Sequence, residues 1–168
     1  MKNEKSQTQL EIILSNAAEH ALRWSKDRSK LIVDEKSAGQ FVSNADLEIE
    51  GQLRNELLEN FGDTPIIGEE MGGDLAADLT GWAIDPIDGT SNFLLGLPTW
   101  GISVGFLEQR KSVLGAIALP DLGLVLSAAE GRGIRLNRSP LQNPTKVPSV
   151  RVIALGENDY ESGRQSDS

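Results

Sequence analysis

The chain contains no cysteine, and its only histidine is His20. Without cysteine there are no disulfides, no thiolate zinc sites and no cysteine nucleophile. His20 lies on an amphipathic stretch with no second histidine or cysteine to make a ligand set, and reads as a surface or half-buried helix residue. No Ser-His-Asp triad can then be assembled. A long apolar run is also missing: no stretch approaches the roughly 18 residues of a membrane span, and Met1 to Ser6 is not followed by an unbroken apolar segment of the secretory kind. No membrane association is expected, and a cytoplasmic location is the simplest expectation. Positive charge is in deficit, with 16 Lys and Arg against 25 Asp and Glu and a net charge of −9. That balance disfavours nonspecific nucleic-acid binding and leaves solubility and an affinity for metal cations intact. A length of 168 residues suits one domain.

What the chain does contain is organised around Trp82 to Phe93, where an apolar run ends in two carboxylates, Asp85 and Asp88, bracketing Pro86. Trp82 to Ile84 read as the end of a buried strand, Pro86 as the residue that stops its ladder, and Gly89 as a close backbone turn before Thr90. Carboxylates held together repel unless a positive charge lies between them. Mg²⁺, which takes hard oxygen ligands, suits such a site, with the backbone carbonyl of Ile87 able to complete the set. The residues Gly89 to Asn92 can open a helix whose free N–H groups and positive dipole end would receive a phosphate. Asp, Pro and Gly are also ordinary turn residues, so a plain surface turn is the alternative.

Along the rest of the chain, Leu10, Ile13, Leu14, Ala17, Ala21 and Leu22 predict an amphipathic helix from about Ser6 to Ser25. Lys26 to Gln40 reads as a loop or loose hairpin. Ser43 followed by Asp46 is a helix-start pattern, with Ile49, Leu53, Leu57 and Phe61 continuing one face to Gly62. Thr64 to Gly68 is a short apolar strand running into Glu69 and Glu70, which alone would pass for an exposed acidic loop, and Met71 to Thr80 is a loop. Trp100, Ile102, Val104 and Phe106 alternate with small residues at strand period; Val113 to Leu119 and Leu124 to Ala128 follow as an antiparallel meander around the turn at Pro120 to Gly123. Arg151 to Leu155 reads as one more strand, and residues 156–168 as a polar, disordered tail.

The string Asp85-Pro86-Ile87-Asp88-Gly89-Thr90-Ser91-Asn92-Phe93 matches the D-P-x-D-G-T-x-N-F signature of the inositol monophosphatase family, a long pattern hard to reach by chance. Gly68-Glu69-Glu70 resembles the family's I-G-E-E motif, and Phe41 to Asp46 its D-x-V-T-x-x-D stretch, with Gln40 standing where the first aspartate would be. Gly131 to Asn137 is similar to G-x-G-A-x-x-N-G, with Arg138 in place of the last glycine. The family's late W-D-x-x-x-G motif has no counterpart, since Trp24, Trp82 and Trp100 precede Ser25, Ala83 and Gly101.

The resemblance implies an α+β fold, the N-terminal half of a sugar-phosphatase, with helices packed on a mostly antiparallel sheet over residues 1–155 and the C-terminal α/β half absent. It implies Mg²⁺-dependent hydrolysis of a small phosphomonoester, inositol monophosphate being the namesake substrate. Glu69, Asp85, Asp88 and the Ile87 carbonyl would hold metal, with Glu70 assisting a further ion. Glu69, Thr90 and Asp46 would be catalytic, orienting the attacking water and taking its proton; Asp46 keeps its alternative as a helix cap. Asp88, Gly89, Thr90 and Ser91 would bind substrate. Pro98-Thr99-Trp100 resembles the histidinol-phosphatase branch, and other sugar or nucleotide phosphates stay open. A non-catalytic metal-binding remnant or interaction module is the competing reading. A half fold leaves an apolar face uncovered, which leaves room for a homodimer.

Overall fold

The computed structural model describes residues 4–37 and 40–141. Helix α1 (Glu4–Lys26) carries Glu4 in its first turn and Arg23 and Lys26 in its last, charges that suit the helix dipole. Its apolar stripe, Leu10, Ile13, Leu14, Ala17 and Ala21, is completely buried. Helix α2 (Asn44–Phe61) begins in a capping box between Ser43 and Asp46, and buries Ile49, Leu53 and Leu57. Between the helices the chain forms a 3₁₀ turn (Arg28–Lys30) and an antiparallel hairpin of β1 (Val33–Ser37) and β2 (Gln40–Ser43), so of the two sequence expectations the hairpin holds.

The remaining strands build one seven-stranded sheet in chain order: β3 (Ile66–Gly68), β4 (Gly81–Asp88), β5 (Gly101–Glu108), β6 (Lys111–Leu119), β7 (Leu124–Ala129), β8 (Gly133–Leu136) and β9 (Ser139–Pro140). Every neighbouring pair is antiparallel except β3 with β4, which is parallel. The meander from β5 to β7 follows the alternation of bulky and small residues. Strands β8 and β9 are an addition: the stretch singled out at Gly131 to Asn137 forms a hairpin on the sheet edge. Arg151 to Leu155, the expected tail and the end of the expected domain lie outside the described residues.

One correction concerns Pro86. It does not end the strand: β4 runs on to Asp88, and the register slips between the pairs Asp85 with Ser103 and Asp88 with Gly101. Pro86 lacks an N–H to donate, and an extra residue on one strand leaves a position where no ladder bond is needed. The strand therefore bends at the proline instead of stopping.

The two long helices pack on one face of the sheet. Trp82, Ile102, Val104, Phe106, Leu114, Ala116 and Ala118 meet them in the core. Trp82 sits between Phe61 and Phe106, each ring centroid 4.9 Å away in a tilted arrangement that suits the ring quadrupoles. Truncating a fully buried residue such as Leu53 or Ile102 to alanine costs about 2–5 kcal/mol in cores of this kind.

The opposite face carries the other parity of each strand. Gly105, Gly115 and Ala128 floor a cleft of about 590 Å³ walled by Ile117, Leu126 and Ile134. Ile117 and Ile134 are about half exposed, at 50% and 45%, and Ile67, on the edge strand β3 of the same face, is 38% exposed. Exposed apolar patches of this kind drive association. Light scattering of the chain is expected to show self-association that Ile117→Glu weakens, with α-helical circular dichroism unchanged. A monodisperse wild-type monomer would contradict it.

Candidate functional site

Parallel strands end on the same side of a sheet. The register Ile66 with Trp82, Ile67 with Ala83 and Gly68 with Ile84 places the next residues, Glu69 and Asp85, side by side. The bond from the Glu69 N–H to the Ile84 carbonyl, 3.2 Å, extends the pairing to the acid itself. Beyond Asp85 the bend at Pro86 carries the chain to Asp88, and Gly89 then turns it into α3 (Thr90–Leu95). Gly89 has φ +86°, and a Cβ there would sit 3.2 Å from the Thr99 carbonyl oxygen, so glycine meets both the conformation and the close approach.

The structure brings three of the expected acids into electrostatic contact. Glu69 and Asp88 are exposed, and Asp85 is half buried between them. Burial, above all, and then the charges of Glu69 and Asp88 push the Asp85 carboxyl up to about 7; a hydrogen bond with the Glu69 carboxyl adds to the rise and the Ile87 backbone N–H opposes it. The Oδ1 atom of Asp85 is buried with no hydrogen-bond partner. Among the described residues no three acid or imidazole side chains form a finished ion cage. Like charges hold each other off, and a cation is the species that would draw these three together.

A divalent metal fits this donor set. The orphaned Asp85 oxygen lacks a positive partner, the flanking acids supply hard oxygen ligands, and the site opens on a cleft of about 470 Å³ lined by Glu69, Asp85, Ser103 and Ser112. Glu70 is placed differently from Glu69: the charges that act on Asp85 are those of Glu69 and Asp88, while the Glu70 backbone N–H turns toward α2 and donates to Glu50 Oε2 at 2.8 Å.

Asp46 lies behind this group, 1% exposed at the start of α2. Its Oδ2 accepts from the Ser43 N–H at 2.8 Å and from the Ser43 hydroxyl at 2.5 Å. Burial raises its carboxyl above the usual range, with the Ser43 and Thr90 hydrogen bonds opposing. The Thr90 hydroxyl lies 3.0 Å from the Ile87 carbonyl oxygen and 3.4 Å from Asp46 Oδ1. Its single hydrogen favours the nearer acceptor, and its lone pairs remain available. Helix cap and site neighbour are thus one and the same role for Asp46. Gly89 and Ser91 flank Thr90 at the opening of α3, where the first N–H groups of a helix have no intrahelical acceptor.

Sequence reasoning missed Glu50 and Arg54, which lie beneath the turn that bears Glu69. The available signal was a Glu-to-Arg pair four residues apart on α2, next to its apolar face.

The raised Asp85 group makes stability depend on pH. Its folded value of about 7 exceeds the ordinary 3.8, so the folded chain binds this proton more tightly than the unfolded chain. Its contribution is complete below the ordinary value and is lost as pH rises through the folded one. The thermal midpoint of the metal-free chain is expected to fall between about pH 4 and pH 7, and Asp85→Asn to flatten that fall. Equal slopes in the two proteins by calorimetric melting would refute it.

Comparison with known proteins bears on the family and the fold. The model of the inositol monophosphatase family matches residues 4–166. The chain is 34% identical over 134 residues to a histidinol-phosphatase of Chlorobaculum parvum, covering 79% of this chain and 52% of that protein. It is 34% identical over 105 residues to a fructose-1,6-bisphosphatase/inositol-1-monophosphatase of Aquifex aeolicus, covering 62% of this chain and 40% of the relative. Among solved structures, the extragenic suppressor protein suhB of Bartonella henselae superposes with a TM-score of 0.78 at 26% identity, over 85% of this chain and 56% of that one. The chain spans about half the length of the curated relatives it matches. A family match across nearly the whole sequence, joined to a shared fold and the acid-bearing strand ends, places the chain in the inositol monophosphatase family.

Proposed function

We propose that this chain carries the water-activating side of a Mg²⁺-dependent phosphomonoesterase, and that the observation supporting it best is the partnerless buried oxygen of Asp85 between two further carboxylates. Glu69, Asp85, Asp88 and the Ile87 carbonyl would hold the metal, with Glu70 at the margin. When bound, Mg²⁺ supplies Lewis acidity, lowering the pKa of a water and stabilising charge on phosphoryl oxygens. The single Thr90 hydrogen goes chiefly to the Ile87 carbonyl, with Asp46 Oδ1 the more distant acceptor, so the lone pairs of the hydroxyl are left to orient the attacking water. Asp46 holds that hydroxyl from behind, and the exposed Glu69 carboxylate receives the proton the water gives up. The N–H groups of Gly89, Thr90 and Ser91 would bind the phosphate, and Asp88 a hydroxyl of the substrate.

The substrate is a small phosphorylated alcohol. The similar proteins carry the names histidinol-phosphatase and fructose-1,6-bisphosphatase/inositol-1-monophosphatase, and all of these activities hydrolyse a phosphate monoester. Inositol monophosphate and histidinol phosphate are the first candidates, with other sugar or nucleotide phosphates as alternatives.

A second reading, a metal-binding module that works by docking, draws on the open apolar cleft and the half-length match. Asp85 and Ser103 share the sheet face on which that cleft opens, so whatever covers the face also borders the acids. Turnover would then require a covering partner, whereas metal binding would not.

Calorimetry should detect Mg²⁺ binding to the wild type and its loss in Asp85→Asn; equal affinity in both would sink the metal assignment. Fusing the C-terminal half of the Chlorobaculum parvum relative after Leu155 should raise turnover of histidinol phosphate or inositol monophosphate. Thr90→Ala should then lower kcat by about 10²–10⁴-fold, the usual range for oriented acid-base help. Robust turnover by the unfused chain, or a fusion indifferent to Thr90→Ala, would show the site to be misassigned.

A further inference from the structure

We infer that Glu50, clamped by Arg54, is a positioning residue that fixes where the Glu69 carboxylate stands. The inference rests on the reading of Glu69 as a metal ligand. Glu50 is on α2 and completely buried. Its Oε2 accepts from the Glu70 N–H at 2.8 Å, and its Oε1 from the Met71 N–H at 3.1 Å and from Arg54 Nε at 2.9 Å. Arg54 Nη2 stands 2.8 Å from the same Oε1 and also donates to the Gly72 carbonyl at 2.5 Å. One side chain of the helix thus holds two successive amides of the turn, and its partner holds the carbonyl that closes it.

The remaining bonds of the turn complete the clamp. The Gly68 N–H donates to the Gly72 carbonyl at 2.9 Å, and the Glu69 N–H to Ile84 at 3.2 Å. The backbone N–H groups of Gly68, Glu69, Glu70 and Met71 therefore each have an acceptor, and Glu69 is fixed on both sides. The fit is close: a Cβ on Gly68 would lie 2.2 Å from Glu50 Oε1, and one on Gly73 would lie 2.2 Å from the Ile66 carbonyl oxygen.

A buried carboxylate is a poor way to gain stability, because an apolar residue of similar volume usually does as well or better. What it does better is orient N–H donors, since both of its oxygens accept and charge-assisted bonds are directional and short. The turn must hold Glu69 beside Asp85 against the repulsion of two carboxylates. A flexible turn would let Glu69 swing away, and a site read as a metal centre would lose a ligand for most of the time. Partners behind a metal ligand typically change metal affinity by about 10–100-fold when removed.

The test is a double-mutant cycle on the full chain, with Mg²⁺ affinity measured by calorimetry for the wild type, Glu50→Gln, Glu69→Gln and the double variant. Glutamine keeps the size of Glu50 but offers one of the two amides an NH₂ group instead of an acceptor. Glu50→Gln is expected to weaken Mg²⁺ binding by about 10–100-fold, and to cause no further loss once Glu69 is glutamine. A loss of equal size in both backgrounds would mean a general structural effect and overturn the inference. Arg54→Lys, which retains the charge but not the fork, should give a smaller loss that also vanishes in the Glu69→Gln background. This arm serves if Glu50→Gln does not fold. Amide hydrogen exchange supplies a readout independent of metal: Glu70 and Met71 should lose protection in Glu50→Gln and in Arg54→Lys while the amides of β4 keep theirs. If the wild type binds no Mg²⁺, the metal reading fails, and exchange decides the clamp alone. Unchanged protection at Glu70 and Met71 would overturn it.

Discussion

Strand β3 has three residues and pairs with one partner, yet the direction of that pairing decides what the molecule can do. Because β3 lies parallel to β4, the chain leaves both strands at the same margin of the sheet, and the first residue past β3 is set beside the fifth of β4. An antiparallel β3 would have sent Glu69 to the opposite end. Parallel pairing requires a crossover, and residues 69–80 provide it as a long loop whose first turn is closed by the bond between Gly68 and Gly72. The acid cluster, the cleft in front of it and the buried clamp behind it all depend on this one choice of direction.

Holding three carboxylates at one strand margin carries an energetic cost that the fold meets in stages. Asp85 remains the uncompensated member, partly desolvated and pushed toward neutrality. Asp46 is also desolvated but receives two donors from Ser43, with the Thr90 hydroxyl 3.4 Å away. Glu50 is the most deeply buried of these acids, and its oxygens take donors from Glu70, Met71 and Arg54. The gradient runs from fully satisfied behind the site to unsatisfied at its front. Such a distribution is expected where the front is built for a cation and the back for rigidity.

A third buried acid, Glu11, shows that burial alone does not make a site. It joins α1 to the sheet through the Ser127 hydroxyl at 2.6 Å and Arg135 Nε at 3.3 Å, with Gln7 donating to the same serine at 2.9 Å. This network sits on the helix-covered face, remote from the acid-bearing strand ends. It ties α1 to strands β7 and β8, whereas the aromatic contacts of Trp82 tie α2 to β4 and β5. The two helices are thereby secured at different parts of one sheet, and the other face is left open.

Local order was legible in the sequence wherever one short-range rule dominated. The 3.6-residue stripe of Leu10, Ile13, Leu14 and Ala17 marks α1, the Ser43 to Asp46 pair marks the start of α2, and the two-residue alternation from Trp100 to Phe106 marks β5. The acids that the structure brings together were legible too, because charge at the end of an apolar run is unusual and the string from Asp85 to Phe93 is long. Only the tertiary structure decided that β4 continues through Pro86, that β3 runs parallel, and that Glu50 and Arg54 serve the turn of Glu69. These depend on partners 12 or more residues away along the chain, such as Arg54 with Ile66, or Glu50 with Glu70, 20 apart. A sequence window reports which groups a segment carries and where they lie on its own surface. It does not report which distant backbone amides will need an acceptor, because that need arises only when the sheet brings them over the helix.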